Sequence, residues 1–192
     1  MNFIIGILVG AKSIALIAGM IAFGTSDITI SPPKLVLTPN EIQLSCRLEN
    51  GYTRDLRKLS QTGTEIIVYL FVEVKEEDSR ELVAKVSSEH TLFYNMLDKE
   101  YVVYRQENDA KETFGELDSA LAVVSTFTSV PVVSIHKIEA TGDYFFEIYS
   151  ILGKTKIEAL DDKEIDLMYY WDYKRPSVRT ETFKGSVLLY GK

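Results

Sequence analysis

One cysteine, Cys46, stands in the 192 residues, so neither an internal disulfide nor a cysteine-based metal framework can form. Its neighbour Arg47 does not activate it, because adjacent strand residues point to opposite faces. Cys46 reads as a small buried hydrophobe, and it lies too far from the apolar leader to be a lipoprotein-type attachment point. Histidine is as scarce. His90 and His136 have no H-x-x-x-H partner, and each reads as a half-buried, hydrogen-bonded imidazole within a strand. No serine occupies a G-x-S-x-G elbow or an S-x-x-K pattern, and the 11 glycines form no phosphate-cradling loop. Asp161, Asp162 and Glu164 stand close together, but the EF-hand loop pattern is absent. No cofactor and no metal is therefore expected.

Excess positive charge is lacking too. The chain has 21 Lys and Arg against 28 Asp and Glu, for a net charge of −7. Lys12 is the only charged residue before Thr25, so the rest of the chain is more acidic still. Such a body has no electrostatic footprint for nucleic acid. It is equally unsuited to an anionic membrane surface as its main ligand. There is no internal repeat and no low-complexity segment.

What is present begins with a leader. Residues 3–23 are apolar or small except for Lys12 and Ser13. One reading is a signal peptide, with residues 1–13 as n-region, 14–23 as h-region and Ala22-Phe23-Gly24 at the cleavage site. A second is an uncleaved helix, long enough to span the hydrocarbon layer. It would carry Lys12 near the bilayer centre at a cost of about 2.5–3.5 kcal/mol. A third is a leader helix buried in the fold. Both main readings export the body. Residues 1–24 are thus a signal peptide or anchor, and 25–192 form one domain.

The body is rich in β-formers, with 11 Tyr and 9 Phe. Pro32-Pro33 interrupts an extended stretch over 25–39, so that stretch reads as an edge or a linker. Residues 41–49 alternate, with Ile42, Leu44, Cys46 and Leu48 on one face. Thr53 caps a short helix over 53–62 that Gly63 ends. The unbroken apolar run within 64–74 predicts a central strand covered on both faces. The charged run 75–81 reads as a solvated loop. Strands follow over 82–94 and 101–104, reversing near Asp98-Lys99, and 106–112 reads as a polar loop.

Thr113 and Glu116 have the spacing of a capping box. The helix they would open lays Leu117, Ala120, Leu121 and Val124 on a sheet. Residues 130–138 and 144–152 read as a hairpin turning at 140–143, 153–164 as polar and aperiodic, and 165–173 as a last aromatic strand. A weaker tail strand runs over 178–189. The fold class is α+β, mostly antiparallel β as a sheet or sandwich, with two short amphipathic helices and an N-terminal apolar helix in front.

The aromatic segment is the one candidate site. Leu167-Met168-Tyr169-Tyr170-Trp171-Asp172-Tyr173-Lys174 sets rings beside charges, the residue types that interfaces favour. As a strand it turns Leu167, Tyr169, Trp171 and Tyr173 inward, leaving Tyr170, Asp172 and Lys174 outward as partner-binding residues.

Three stretches carry a resemblance. They are Leu48-Glu49-Asn50-Gly51-Tyr52 through Leu56 and Leu59 to Gly63; Leu92-Phe93-Tyr94-Asn95-Met96-Leu97 into Tyr101-Val102-Val103; and Phe114-Gly115-Glu116-Leu117-Asp118-Ser119-Ala120-Leu121, with Val130-Pro131-Val132 and Tyr144 downstream. Together they span about residues 34–173, and the chain resembles the exported bacterial domain-of-unknown-function family 4390. It departs from that family over 157–166, which lack the proline found there. The resemblance implies export and a compact domain, sometimes encoded near two-component signalling genes, and it assigns no activity. The expectation is a non-enzymatic module, periplasmic or tethered to the inner membrane. Its partner would be another envelope protein, with membrane contact through residues 1–24 if they remain. The alternative is a small envelope hydrolase or carbohydrate-binding protein acting through surface carboxylates and aromatics.

Overall fold

The computed structural model describes residues 28–157 and 163–190, together with the backbone of 14–17 and 20–23. Those two leader stretches are extended, as β1 (Ile14–Ile17) and β2 (Met20–Phe23). The rest of residues 1–27 lies outside the described residues. The expected apolar helix otherwise falls there, as does the choice between signal and anchor. No helix among the described residues is long and apolar enough to cross a membrane.

β3 (Thr29–Ile30) and β4 (Lys34–Leu37) flank Pro32-Pro33, which cannot donate into a ladder. Both pair antiparallel with β5 (Glu41–Glu49), whose Ile42, Leu44, Cys46 and Leu48 are buried as the alternation requires. Burial pushes the Cys46 thiol up to about 12, so it stays an inert thiol. α1 (Arg54–Leu59) starts at Thr53, whose hydroxyl accepts from the Leu56 N–H at 3.4 Å. Gly63 follows at φ +82°, where only glycine is free of strain.

β6 (Ile66–Glu76) is central, between β7 (Leu82–Asn95) and a later strand. Among the described residues only one of its faces is fully buried, where the sequence predicts cover on both. Ile66, Val68, Leu70, Val72 and Val74 are buried, while Ile67, Tyr69, Phe71 and Glu73 are half-buried. Long side chains on the outer face shelter one another there, and the apolar run hid that asymmetry. β7 continues the meander into β8 (Glu100–Arg105). The expected loop over 106–112 is instead a short 3-10 turn, Gln106–Asn108, followed by β9 (Ala110–Phe114). β9 buries no side chain, so its ladder with β8 left no apolar alternation to read.

Thr113 lies inside β9, and the expected capping box does not form. α2 (Leu117–Val124) has Glu116 at its N-cap position without a side-chain bond. Its stripe of Leu117, Ala120, Leu121 and Val124 is buried beside Leu92, Tyr101 and Val103, as expected.

β10 (Thr126–Ser134) pairs with β5, whereas β11 (Asp143–Leu152) pairs with β6. They are not a hairpin. Residues 135–142 cross from one sheet to the other, and two strands facing one core from opposite sides alternate just as a hairpin's strands do. β12 (Lys154–Ile157) and β13 (Lys163–Asp166) form a small ladder within the region expected to be aperiodic. The tail is β14 (Ser177–Thr180), β15 (Phe183–Lys184) and α3 (Gly185–Tyr190), rather than one strand. A Cβ at Gly185 would lie 1.8 Å from the Glu139 carbonyl oxygen, so glycine is needed where α3 begins.

The result is two antiparallel sheets, ordered β1-β4-β5-β10 with β3 on β5, and β2-β14-β11-β6-β7-β8-β9 with β15 on β11. Ile42, Leu44, Phe127 and Val130 of the first and Val68, Val72, Phe146 and Ile148 of the second belong to one buried cluster. Each such side chain contributes about 1.5–3 kcal/mol by leaving water.

Candidate functional site

The aromatic segment does not form a strand. β13 ends at Asp166, whose carboxylate accepts from the Met168 N–H at 2.9 Å, and Leu167–Trp171 winds as a 3-10 helix. Side chains then recur every three residues. Leu167, Met168 and Trp171 are buried, while Tyr169 and Tyr173, expected inward, are 67% and 64% exposed. Of the residues expected to face a partner, Asp172 and Lys174 are exposed, with carboxylate and ammonium 3.8 Å apart. Tyr170 is half-buried against the core and meets Tyr169 edge to face at 5.7 Å.

The turn that follows is unusual. Asp172 and Tyr173 have φ of 49° and 57°, a conformation that bulky side chains avoid. Three backbone bonds hold it: Asp172 N–H to Tyr169 O, Tyr173 N–H to Met168 O and Lys174 N–H to Trp171 O, at 2.9–3.1 Å. Beneath it the Trp171 indole donates from Nε1 to the Gly51 carbonyl at 2.7 Å. A Cβ at Gly51 would lie 2.5 Å from Leu48 Cδ2, so the bare backbone is what fits between Leu48 and the indole.

Gly51 belongs to the turn from β5 into α1, which walls an open cavity of about 600 Å³. Arg47 and Glu49 share the outward face of β5 at its rim, and Leu121 and Ser125 come from α2 and its end. The Arg57 guanidinium on α1 donates to the Asp118 carboxylate on α2 at 2.5 Å. Glu49 accepts from the Thr29 hydroxyl at 3.1 Å. Tyr52 also lines the cavity, and its buried hydroxyl has no hydrogen-bond partner among the described residues. Burial raises the Tyr52 phenol further above its usual range, so it remains a donor.

A second polar cluster is closed to solvent. His90 on β7 stacks on Phe127 with centroids 3.9 Å apart. Its Nδ1 lies 2.8 Å from the Val124 carbonyl, and its Nε2 lies 2.8 and 3.0 Å from the two Glu107 oxygens. The Ser88 hydroxyl donates to the same carboxylate at 3.0 Å. Nothing in the local sequence pointed to this partner, which is 17 residues away. His136, by contrast, is exposed on a short 3-10 turn rather than in a strand. Among the described residues no three His, Cys, Asp or Glu side chains gather as a metal site.

The outer face of the larger sheet mixes rings and charges. Phe71 stacks on Tyr149 at 5.0 Å, and Lys75 bridges Glu73 and Glu147 at 2.8 and 2.6 Å. Farther along, the Arg179 guanidinium covers the Phe145 ring at 3.9 Å.

The profile of a domain of unknown function, DUF4390, matches residues 25–157. The chain belongs to this family. No curated protein and no solved structure matches it. The DUF4390 match begins just past the leader and ends with β12, before the aromatic turn. Two of the stretches that carried the resemblance, 48–63 and 114–121, meet at the cavity through Gly51, Tyr52 and Arg57 on one side and Asp118 and Leu121 on the other.

Proposed function

We propose that this DUF4390 domain is a non-enzymatic envelope module, periplasmic or tethered through residues 1–24, that binds another protein through its aromatic turn. The carrying observation is a tightly bonded turn that holds Tyr169 and Tyr173 in solvent above a buried Trp171. Exposed rings on a rigid base lose little entropy on docking, which is what interface anchors need. Backbone strain at Tyr173 with no core contact to reward it favours the same reading. Asp172 and Lys174 flank the rings, and Tyr170 contributes its exposed edge. A hydrolase or carbohydrate site would draw on free convergent carboxylates. Glu49 and Asp118 both line the cavity, but Thr29 and Arg57 already engage them.

A photo-crosslinking residue placed at Tyr169 or Tyr173 in living cells is expected to capture one defined protein. The same residue at Met96, 64% exposed on the turn between β7 and β8, should not. Capture that is equal from all three positions would remove the turn from the proposal. Export has its own test. An export-dependent reporter fused after Lys192 should be active, and the mass of the native protein should show either a start at Thr25 or an intact Met1. A cytoplasmic protein with its leader intact would overturn both forms of export.

A further inference from the structure

We propose that the cavity between the β5–α1 turn and α2 takes a ligand bearing a carboxylate, held by Arg47 and Arg57. This does not depend on the aromatic turn. Two arginines line the cavity from different elements, Arg47 from β5 and Arg57 from α1. Among the described residues the Arg47 side chain has no ion-pair partner, and Arg57 spends one N–H on Asp118. A guanidinium has five donors in a fork that matches a carboxylate, so Arg57 has donors to spare.

Its present counter-ion is easily replaced. The Asp118 side chain is 82% exposed, and an exposed ion pair contributes little. An incoming carboxylate can take that place and gain Arg47 as well. Leu121 gives the wall an apolar patch for whatever carries the acid. Glu49 on the rim repels a second negative charge, which favours a monoanion over a phosphate or a dicarboxylate. The volume suits a small molecule or the last few residues of a peptide.

The full chain in non-ionic detergent would be titrated calorimetrically with three probes. These are N-acetyl-trialanine with a free C-terminus, the same peptide amidated, and an amidated peptide whose only carboxylate is a glutamate side chain. The free acid should bind at least about tenfold more tightly than the amide, as expected for losing a charge-assisted bond. The glutamate peptide decides between a terminal and a side-chain carboxylate as the source. Arg47→Ala and Arg57→Ala should each weaken the free acid about tenfold or more. Asp118→Asn should instead tighten it, about three- to tenfold, by removing the competitor for Arg57. That gain cannot come from a damaged fold. Neither acid probe binding more tightly than the amide, no binding of either acid probe at millimolar concentration, or an Asp118→Asn variant that binds no tighter would each overturn the proposal.

Discussion

Replacing Trp171 with alanine is expected to destabilise the domain by about 3–5 kcal/mol, read in urea melts followed by circular dichroism. The indole is 1% exposed, belongs to the main buried cluster and is the chain's one tryptophan. Its loss empties a volume beside Gly51, and it strands the Gly51 carbonyl, which accepts the indole N–H at 2.7 Å. Trp171→Phe separates the two contributions. It keeps most of the apolar volume and loses the bond, so about 1–2 kcal/mol should go. Tyr169→Ser and Tyr173→Ser, at exposed positions, should leave the melts within about 0.5 kcal/mol of wild type. If Trp171→Ala melted like the tyrosine variants, the turn would have no anchor and its rigid presentation of rings would fail.

The same residue shows what the sequence could and could not disclose. Burial of Trp171 was legible from its type and from the apolar residues around it. Its neighbours differ from the strand reading because a period of two groups Trp171 with Leu167, Tyr169 and Tyr173, whereas the 3-10 period of three groups it with Met168. The choice between them rests on the Asp166 cap and on two left-handed residues, 172 and 173, that no pattern rule selects. The strands read over 41–49, 64–74 and 82–94 match β5, β6 and β7 to within two residues because each has a face that meets the core. β9 has no such face and was read as a loop.

Pairing was the harder matter. Alternation places a side chain on a face but does not name the strand opposite, so β10 and β11 were joined to each other when each belongs to a different sheet. The cavity was hidden for a related reason. Arg57 and Asp118 are 61 residues apart and have no local signature. What could be read was that the stretches 48–63 and 114–121 stand out from the rest, and the fold brings those two together.

His90→Ala is expected to cost about 3–5 kcal/mol, because it leaves a buried carboxylate without its partner. The hydrogen bonds dictate the arrangement of protons. The Val124 carbonyl can only accept, so Nδ1 carries hydrogen, and the proton between Nε2 and Glu107 is shared by two groups that are almost wholly closed to solvent. Burial alone would push the Glu107 carboxyl up. The bond and charge of His90, with help from its own backbone N–H and Ser88, outweigh this and hold it below the usual carboxylate range. A carboxyl that is lowered on folding stabilises the domain above its unfolded pKa, and the contribution is lost as pH falls toward the folded value. The loss therefore begins near pH 5 and deepens with acid, given an unfolded glutamate near about 4.3. Glu107→Gln should keep a donor for Nε2 and an acceptor for Ser88, costing about 1–2 kcal/mol at neutral pH. Glu73 and Glu77, held low by Lys75 and by Arg179, share the acid slope, so the difference between wild type and Glu107→Gln isolates this pair. Melting temperatures taken from pH 6 to pH 3 should fall less steeply for Glu107→Gln. Parallel slopes would mean that Glu107 does not change its protonation on unfolding, and that the pair is held by packing around Phe127 instead.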